Sequence, residues 1–450
     1  MLLAIPTSLG VDPAIGCHVI TVLAGLGVLV EFRLIARRID PTLPGRRWFT
    51  VLEVTLAVAT AAFAQCGIGW PDLLLALLLL TALERMLRLV EHPALLVGLE
   101  TGLVGGVAYW AKGPGFFVFP LMGLVLAVRE RHRFRKLWRA YAAAIGGWVV
   151  AVVPLLAEFR HHYGHWVVSL SGTYNVRYMA SPTGGTNFFM LPGLYPPLGG
   201  TSYGWSTPYA YDGDWSPFRS LFDFWYFLSH VTGKLASAGQ LEAFGIGVLG
   251  GLAVLVAIVM GGKALKLSDV MRDAGAAAVA AVSALVAMQF ATFQDSRYVW
   301  LAVPVGLLGV GMGVRAIRGR HSQVLQLVAV AVAGIATVAV ASWPTTSITV
   351  DTSKDLAAVI DQIPEGSHIM GGVSEPTLPM YAAYYDHLKY YGLLWTAPSG
   401  SELAAMKHDN IEYVVLSDPS ASLGAWTQSG YLIAVDAAHG VYRVDYTPGS

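Results

Sequence analysis

The chain has 450 residues, 55% of them hydrophobic and 13% charged, with a mean hydropathy of +0.56. Soluble domains carry about 25% charged residues, so this composition excludes an ordinary water-soluble globule and points to a membrane. The formal net charge is zero, which excludes the basic field of a nucleic-acid binder.

Apolar runs near the ~20 residues that a crossing needs predict about ten transmembrane helices. In chain order they are Ala14–Ile35, Phe49–Ile68, Asp72–Leu89, Ala94–Ala111, Pro114–Val128, Trp138–Ala157, Leu241–Lys263, Ala274–Phe290, Val299–Ile317 and Val324–Ser342. Alternate loops are basic. They hold Arg37, Arg38, Arg46 and Arg47; Arg85 and Arg88; Arg129 to Arg139 with Lys136; Lys263, Lys266 and Arg272; and Arg315, Arg318 and Arg320. Positive charge stays in the cytoplasm, so these loops are expected inside. Met1 to Pro13, the turns holding Asp72, Lys112 and Arg297, the segment Glu158–Gln240 and everything after Trp343 are then expected outside. The start Met1-Leu2-Leu3-Ala4-Ile5 has no basic region of the kind a signal peptide needs. A chain that starts outside and enters the membrane at once predicts an upstream helix and outer loop. Cys17 and Cys66 both fall in predicted spans and read as buried thiols rather than a disulfide framework.

Glu158–Gln240 is too long for a plain connection, and its Trp166, Trp205, Trp215, Trp225 and many tyrosines argue against disorder. These rings suit the membrane interface, or contact with a sugar or lipid. Within it, Leu191–Gly200 is expected as irregular backbone. From about residue 344 the pattern changes to a small α/β domain of about a hundred residues. Thr352-Ser353-Lys354-Asp355 resembles a capping box before a helix over Leu356–Ile363, and Ser399-Gly400-Ser401-Glu402 has the same form before a helix reaching His408. Ile411–Leu416, Tyr431–Val435 and Val441–Tyr446 read as strands. The fold class expected is thus an α-helical integral membrane protein over 1–343, with an extracytoplasmic α/β domain over 344–450.

Three outer turns put charge at the lip of the membrane: Gly69-Trp70-Pro71-Asp72, Tyr109-Trp110-Ala111-Lys112-Gly113-Pro114-Gly115 and Phe293-Gln294-Asp295-Ser296-Arg297-Tyr298. Each charge has an ordinary reading. Asp72 can serve as an N-cap or first-turn acid, Lys112 can snorkel, and Arg297 can pair with Asp295. Together, two cations beside a carboxylate suit a lipid-linked phosphate. Lys112 and Arg297 would hold and stabilise the leaving phosphate, and Asp72 would take a proton from an attacking hydroxyl. Glu158, His161 and His165 share a helical spacing that could bind a metal, although histidines at an interface are common. Asp212-Gly213-Asp214 reads as a turn, and Glu53 and Glu100 as structural partners of the basic loops, with a proton relay as the alternative.

Trp70-Pro71-Asp72 opening a Leu-rich span, Ala108-Tyr109-Trp110-Ala111-Lys112-Gly113-Pro114, and Arg297-Tyr298 before Val299-Trp300-Leu301-Ala302-Val303-Pro304 resemble the GT-C glycosyltransferases. The branch is that of the dolichyl-phosphate-mannose protein mannosyltransferases and the aminoarabinose lipid A transferase, and the resemblance covers roughly Ile5 to Ser342. It implies an inverting sugar transfer from a polyprenyl-phosphate donor to a lipid, glycan or protein acceptor in the cell envelope, with Lys112 near the donor phosphate. It leaves a divalent cation open, and it implies membrane lipids but no nucleic acid as partners. Members carry acidic residues in a first outer loop that this chain lacks, Asp12 being the sole carboxylate before the first span. A non-catalytic scaffold presenting the α/β domain, and a small-molecule or lipid transporter, are the alternative readings.

Overall fold

In a bilayer every backbone N–H needs a partner within the chain, so unbroken apolar runs become helices. The computed structural model describes residues 13–39, 41–65, 71–164, 220–236, 350–372, 377–394, 397–416 and 431–446, with isolated positions at 166, 168, 193–194, 196–197 and between 303 and 334. Asp12, Cys66, Trp205, Trp215, Asp212-Gly213-Asp214, Arg297, the side chain of Cys17 and the expected spans Leu241–Lys263 and Ala274–Phe290 lie outside the described residues. So do most of the long outer segment and most of the last two expected spans.

The contacts divide the chain into two units, Met1–Ser169 with Leu228–Ser347, and Leu170–Phe227 with Ile348–Ser450. In the first, α1 (Pro13–Ile39), α2 (Arg47–Gln65), α3 (Asp72–Glu91), α4 (Leu95–Ala111), α5 (Gly115–Arg129) and α6 (Phe134–Tyr163) follow the first six expected spans. Among the described residues, two stretches, His18–Ile39 and Arg131–His161, are long and apolar enough to cross a membrane. Leu95–Ala111 and Gly115–Val128 are shorter apolar helices. Helix α6 extends past both ends of the expected Trp138–Ala157. Its C-terminal stop is Gly164, whose φ of 75° suits the left-handed turn that ends a helix.

A glycine seam joins α4 to α6. A Cβ on Gly98 would lie 2.2 Å from the Ala140 carbonyl oxygen, one on Gly102 1.9 Å from that of Ala144, and one on Gly106 2.4 Å from Ala151 Cβ. From the α6 side, a Cβ on Gly147 would lie 2.5 Å from the Leu99 carbonyl oxygen. Glycine at every fourth position lets two helices approach backbone to backbone, which is how helices associate where there is no water to expel.

Near the end of α1, Arg38 bonds both Glu84 and Glu91, and Arg85 stands 3.6 Å from Glu84 and 3.9 Å from Glu100. Arg33 lies 3.6 Å from Glu53. Glu53 and Glu100 therefore each have an arginine as neighbour.

In the second unit, β1 (Gly193–Leu194), β2 (His368–Gly372), β3 (Lys389–Leu394), β4 (Tyr413–Leu416), β5 (Leu432–Asp436) and β6 (Val441–Val444) form one sheet in the order β1-β3-β2-β4-β6-β5. β3, β2 and β4 run parallel, and the other pairings are antiparallel. The helices of this unit include α8 (Val350–Gln362), α9 (Thr377–Tyr385) and α10 (Gly400–His408). Alternation along the strands loads both faces. Ile369, Tyr390, Val415 and Val441 pack with Val359 and Ala382 of α8 and α9, whereas Met370, Tyr391, Val414 and Tyr442 pack with Met406 of α10. A parallel sheet is normally covered in this way on both sides.

Three local expectations change. Gly193-Leu194, expected as irregular, pairs with Leu393 and Gly392, so this piece of the outer segment is a strand of the second unit's sheet. Gly193 has a φ of 142°, which a side chain would resist. Thr352 is not a cap, because α8 already includes Val350. β2 and β3 were not among the expected strands. By contrast, Ser399 and Glu402 form the expected capping box, with the Ser399 N–H donating to Glu402 at 2.7 Å. In the outer segment α7 (Leu221–Ala236) begins after Ser220, whose hydroxyl accepts from the Asp223 N–H at 3.0 Å.

Two measurements test this packing. Gly102→Leu should lower the thermal stability of the bilayer-reconstituted chain by at least ~1–3 kcal/mol, because the α6 backbone cannot yield. Gly146→Ala, where a new Cβ meets nothing within 4 Å, should be neutral or stabilise by under about 1 kcal/mol. In the α/β unit, the Ser399 hydroxyl and N–H hold the Glu402 carboxyl below its ordinary 4.5. The stabilisation this gives is complete above pH 4.5 and disappears as the pH falls through the lowered folded value. Ser399→Ala should cost about 1 kcal/mol at neutral pH and flatten that acid dependence, read from hydrogen exchange of the Gly400–His408 amides.

Candidate functional site at the turn between α4 and α5

Pro71 takes the N-cap position of α3, which leaves Asp72 as the first helical residue, in the partial positive field of the helix start. Lys112 ends α4 in an extended conformation, φ −163° and ψ 144°, with its N–H still bonded to the Ala108 carbonyl at 3.2 Å. Within three residues the chain reverses. The Gly115 N–H donates to the Lys112 carbonyl at 2.9 Å, and a Cβ at Gly115 would sit 2.5 Å from the Ala108 carbonyl oxygen. Only glycine fits there.

Aromatic side chains brace this turn. Tyr109 is buried and meets the Phe116 ring edge-on at 5.3 Å, and Phe116 lies 5.0 Å from Trp148 of α6. The Trp110 indole N–H donates to the Ala151 carbonyl at 2.7 Å. The Tyr109 hydroxyl donates to the Val168 carbonyl at 2.5 Å, tying the chain just after α6 to the helix that carries Lys112.

At the centre, Lys112 Nζ stands 2.5 Å from Asp72 Oδ1, with the two side chains 17% and 3% exposed. An ammonium and a carboxylate this far from water are stable only as partners. Of the three site residues expected from the sequence, Asp72 and Lys112 are brought together, and Arg297 lies outside the described residues. Asp72 is the first-turn acid rather than the N-cap, and its side chain turns to Lys112.

For the metal reading, Glu158 and His161 are exposed near the end of α6, and His165 lies outside the described residues. Among the described residues no three His, Cys, Asp or Glu side chains gather to hold a metal ion. The bracing roles of Tyr109, Phe116 and Trp148 and the glycine seam are absent from the sequence reading. The seam had a visible signal, glycine at 98, 102 and 106; the aromatic contacts had none, because Trp148 is remote in sequence.

No family model and no curated protein matches the sequence. Among solved structures, the chain is similar to the crystal structure of ArnT from Cupriavidus metallidurans bound to undecaprenyl phosphate. The TM-score is 0.50 at 16% identity, and the match covers 95% of this chain and 83% of that one. The chain has a GT-C-like fold. Among the described residues, two stretches of this fold are long and apolar enough to cross a bilayer.

The ion pair gives a stability test. Asp72→Ala removes the buried carboxylate from the Lys112 ammonium and should cost about 3–5 kcal/mol, whereas the apolar double variant Asp72→Leu/Lys112→Met should recover most of that loss. Thermal unfolding of the reconstituted protein reads both.

Proposed function

We propose that this chain transfers a sugar from a polyprenyl-phosphate donor to an acceptor on the extracytoplasmic face of the membrane, with inversion. The observation that carries the reading is the Lys112–Asp72 pair, nearly closed to water in a turn at the lip of the membrane. The GT-C-like fold supports it, as does the undecaprenyl phosphate bound to the similar ArnT structure. In this proposal the membrane part occupies 1–343 and the extracytoplasmic α/β domain 344–450, in a plasma membrane.

The chemistry follows from charge. In an inverting transfer the acceptor oxygen attacks the anomeric carbon as its bond to the phosphate oxygen breaks, and the phosphate leaves with the electron pair. Lys112, with Arg297, binds that phosphate and stabilises the charge that grows on it. As the phosphate draws on the ammonium, Asp72 is left ionised in the field of the α3 N-terminus and takes the acceptor proton. The lipid, glycan or protein acceptor is met from the outer side of the membrane.

The test is sugar transfer from a synthetic polyprenyl-phosphate sugar by the full chain in nanodiscs, with donor binding measured separately. Lys112→Ala should abolish donor binding at concentrations that saturate the wild type. Asp72→Asn should lower kcat by roughly 10²–10⁴-fold with donor affinity kept. Equal rates for wild type and Lys112→Ala would remove this site from the reaction. A parallel loss of donor affinity in Asp72→Asn would make Asp72 a positioning counter-ion for Lys112 instead of the base.

A further inference from the structure

The start of α6 carries a surface that sugar transfer does not use. Of its cations, Arg133 is engaged inside the fold, bonding the Val90 carbonyl at 3.0 Å and approaching Glu130 at 3.4 Å. Arg131, Arg135, Lys136 and Arg139 are all exposed, and among the described residues no carboxylate pairs with any of them.

The first turns of α6 sort into three stripes. Leu137, Ala140 and Ala144 are buried against the fold. Phe134 and Trp138, one turn apart, stand 54% and 49% exposed. Arg135 and Arg139 form the next stripe, and the Arg139 guanidinium lies 5.5 Å from the Trp138 ring centroid. Further along α6 the same outward side carries Ile145, Val149 and Val153, all exposed and all apolar. A surface that is apolar along a membrane-crossing helix, aromatic at its end and basic beyond that matches a phospholipid from acyl chain to headgroup.

We propose that the basic end of α6 is a docking site for an anionic phospholipid of the cytoplasmic leaflet. Its phosphate sits on Arg135 and Arg139, its glycerol region lies against Trp138, and an acyl chain follows Ile145 and Val149. The occupant is set by charge complementarity and by continuity with the apolar side of the same helix. The proposal rests on α6 crossing the bilayer and is independent of the transfer reaction.

The test uses the full chain in nanodiscs of equal phosphatidylcholine and phosphatidylglycerol, with native mass spectrometry of the lipids retained on release. Wild type should keep phosphatidylglycerol in preference to phosphatidylcholine. Arg135→Gln/Arg139→Gln should reduce that preference by about fivefold for each charge removed. Arg135→Lys/Arg139→Lys should retain most of it, since the charge persists. Equal lipid ratios in wild type and the Gln variant would overturn the site. So would a Lys variant that loses the preference as fully as the Gln variant.

Discussion

An ammonium and a carboxylate that share a place almost closed to water hold each other there, and this end of the first unit is arranged around that constraint. Lys112 and Asp72 lie on different helices, so their contact depends on where α3 begins and α4 ends. Pro71 sets the first point, and the Lys112–Gly115 reversal sets the second. The position of α4 in turn depends on the glycine seam with α6, because a single Cβ in that seam would push the two backbones apart. Loosening the seam would therefore act on the ion pair from a distance, through a rigid helix rather than through any contact with it.

The same pair carries the chemistry of the proposed reaction. A lone lysine at this depth would seek water, and a lone aspartate would resist ionisation. Paired, the two groups leave no strong net field, and in the proposed reaction an incoming phosphate competes for the ammonium. The aromatic bracing by Tyr109, Phe116 and Trp148 keeps the turn from relaxing toward the surface, and the Tyr109 bond to Val168 links it to the start of the long outer segment.

Charge at the opposite end is used differently. Arg38, Glu84, Glu91, Arg85 and Glu100 form a chain of contacts that ties helix ends together. At the start of α6, Arg131, Arg135, Lys136 and Arg139 are exposed with no paired acid among the described residues, and the proposed partner there is an external anion. Arg133 and Arg135, two residues apart, show both uses. One is spent on the Val90 carbonyl and Glu130, and the other is left to the surroundings.

Hydrophobic length alone determined the first six helices to within a few residues at most ends, because a membrane helix satisfies its own backbone and needs no distant partner. The Ser399 capping box and the strands at Tyr413–Leu416, Leu432–Asp436 and Val441–Val444 were legible for the same reason, since their signals lie within a few adjacent residues. The sequence also singled out Asp72 and Lys112, as charges where apolar spans fold back. Only the tertiary structure decided that these two meet, that Gly193-Leu194 joins a sheet built from residues far along the chain, and that β2 and β3 form its parallel centre. Those outcomes depend on which surfaces come together in space, and no local pattern of residues encodes the partner.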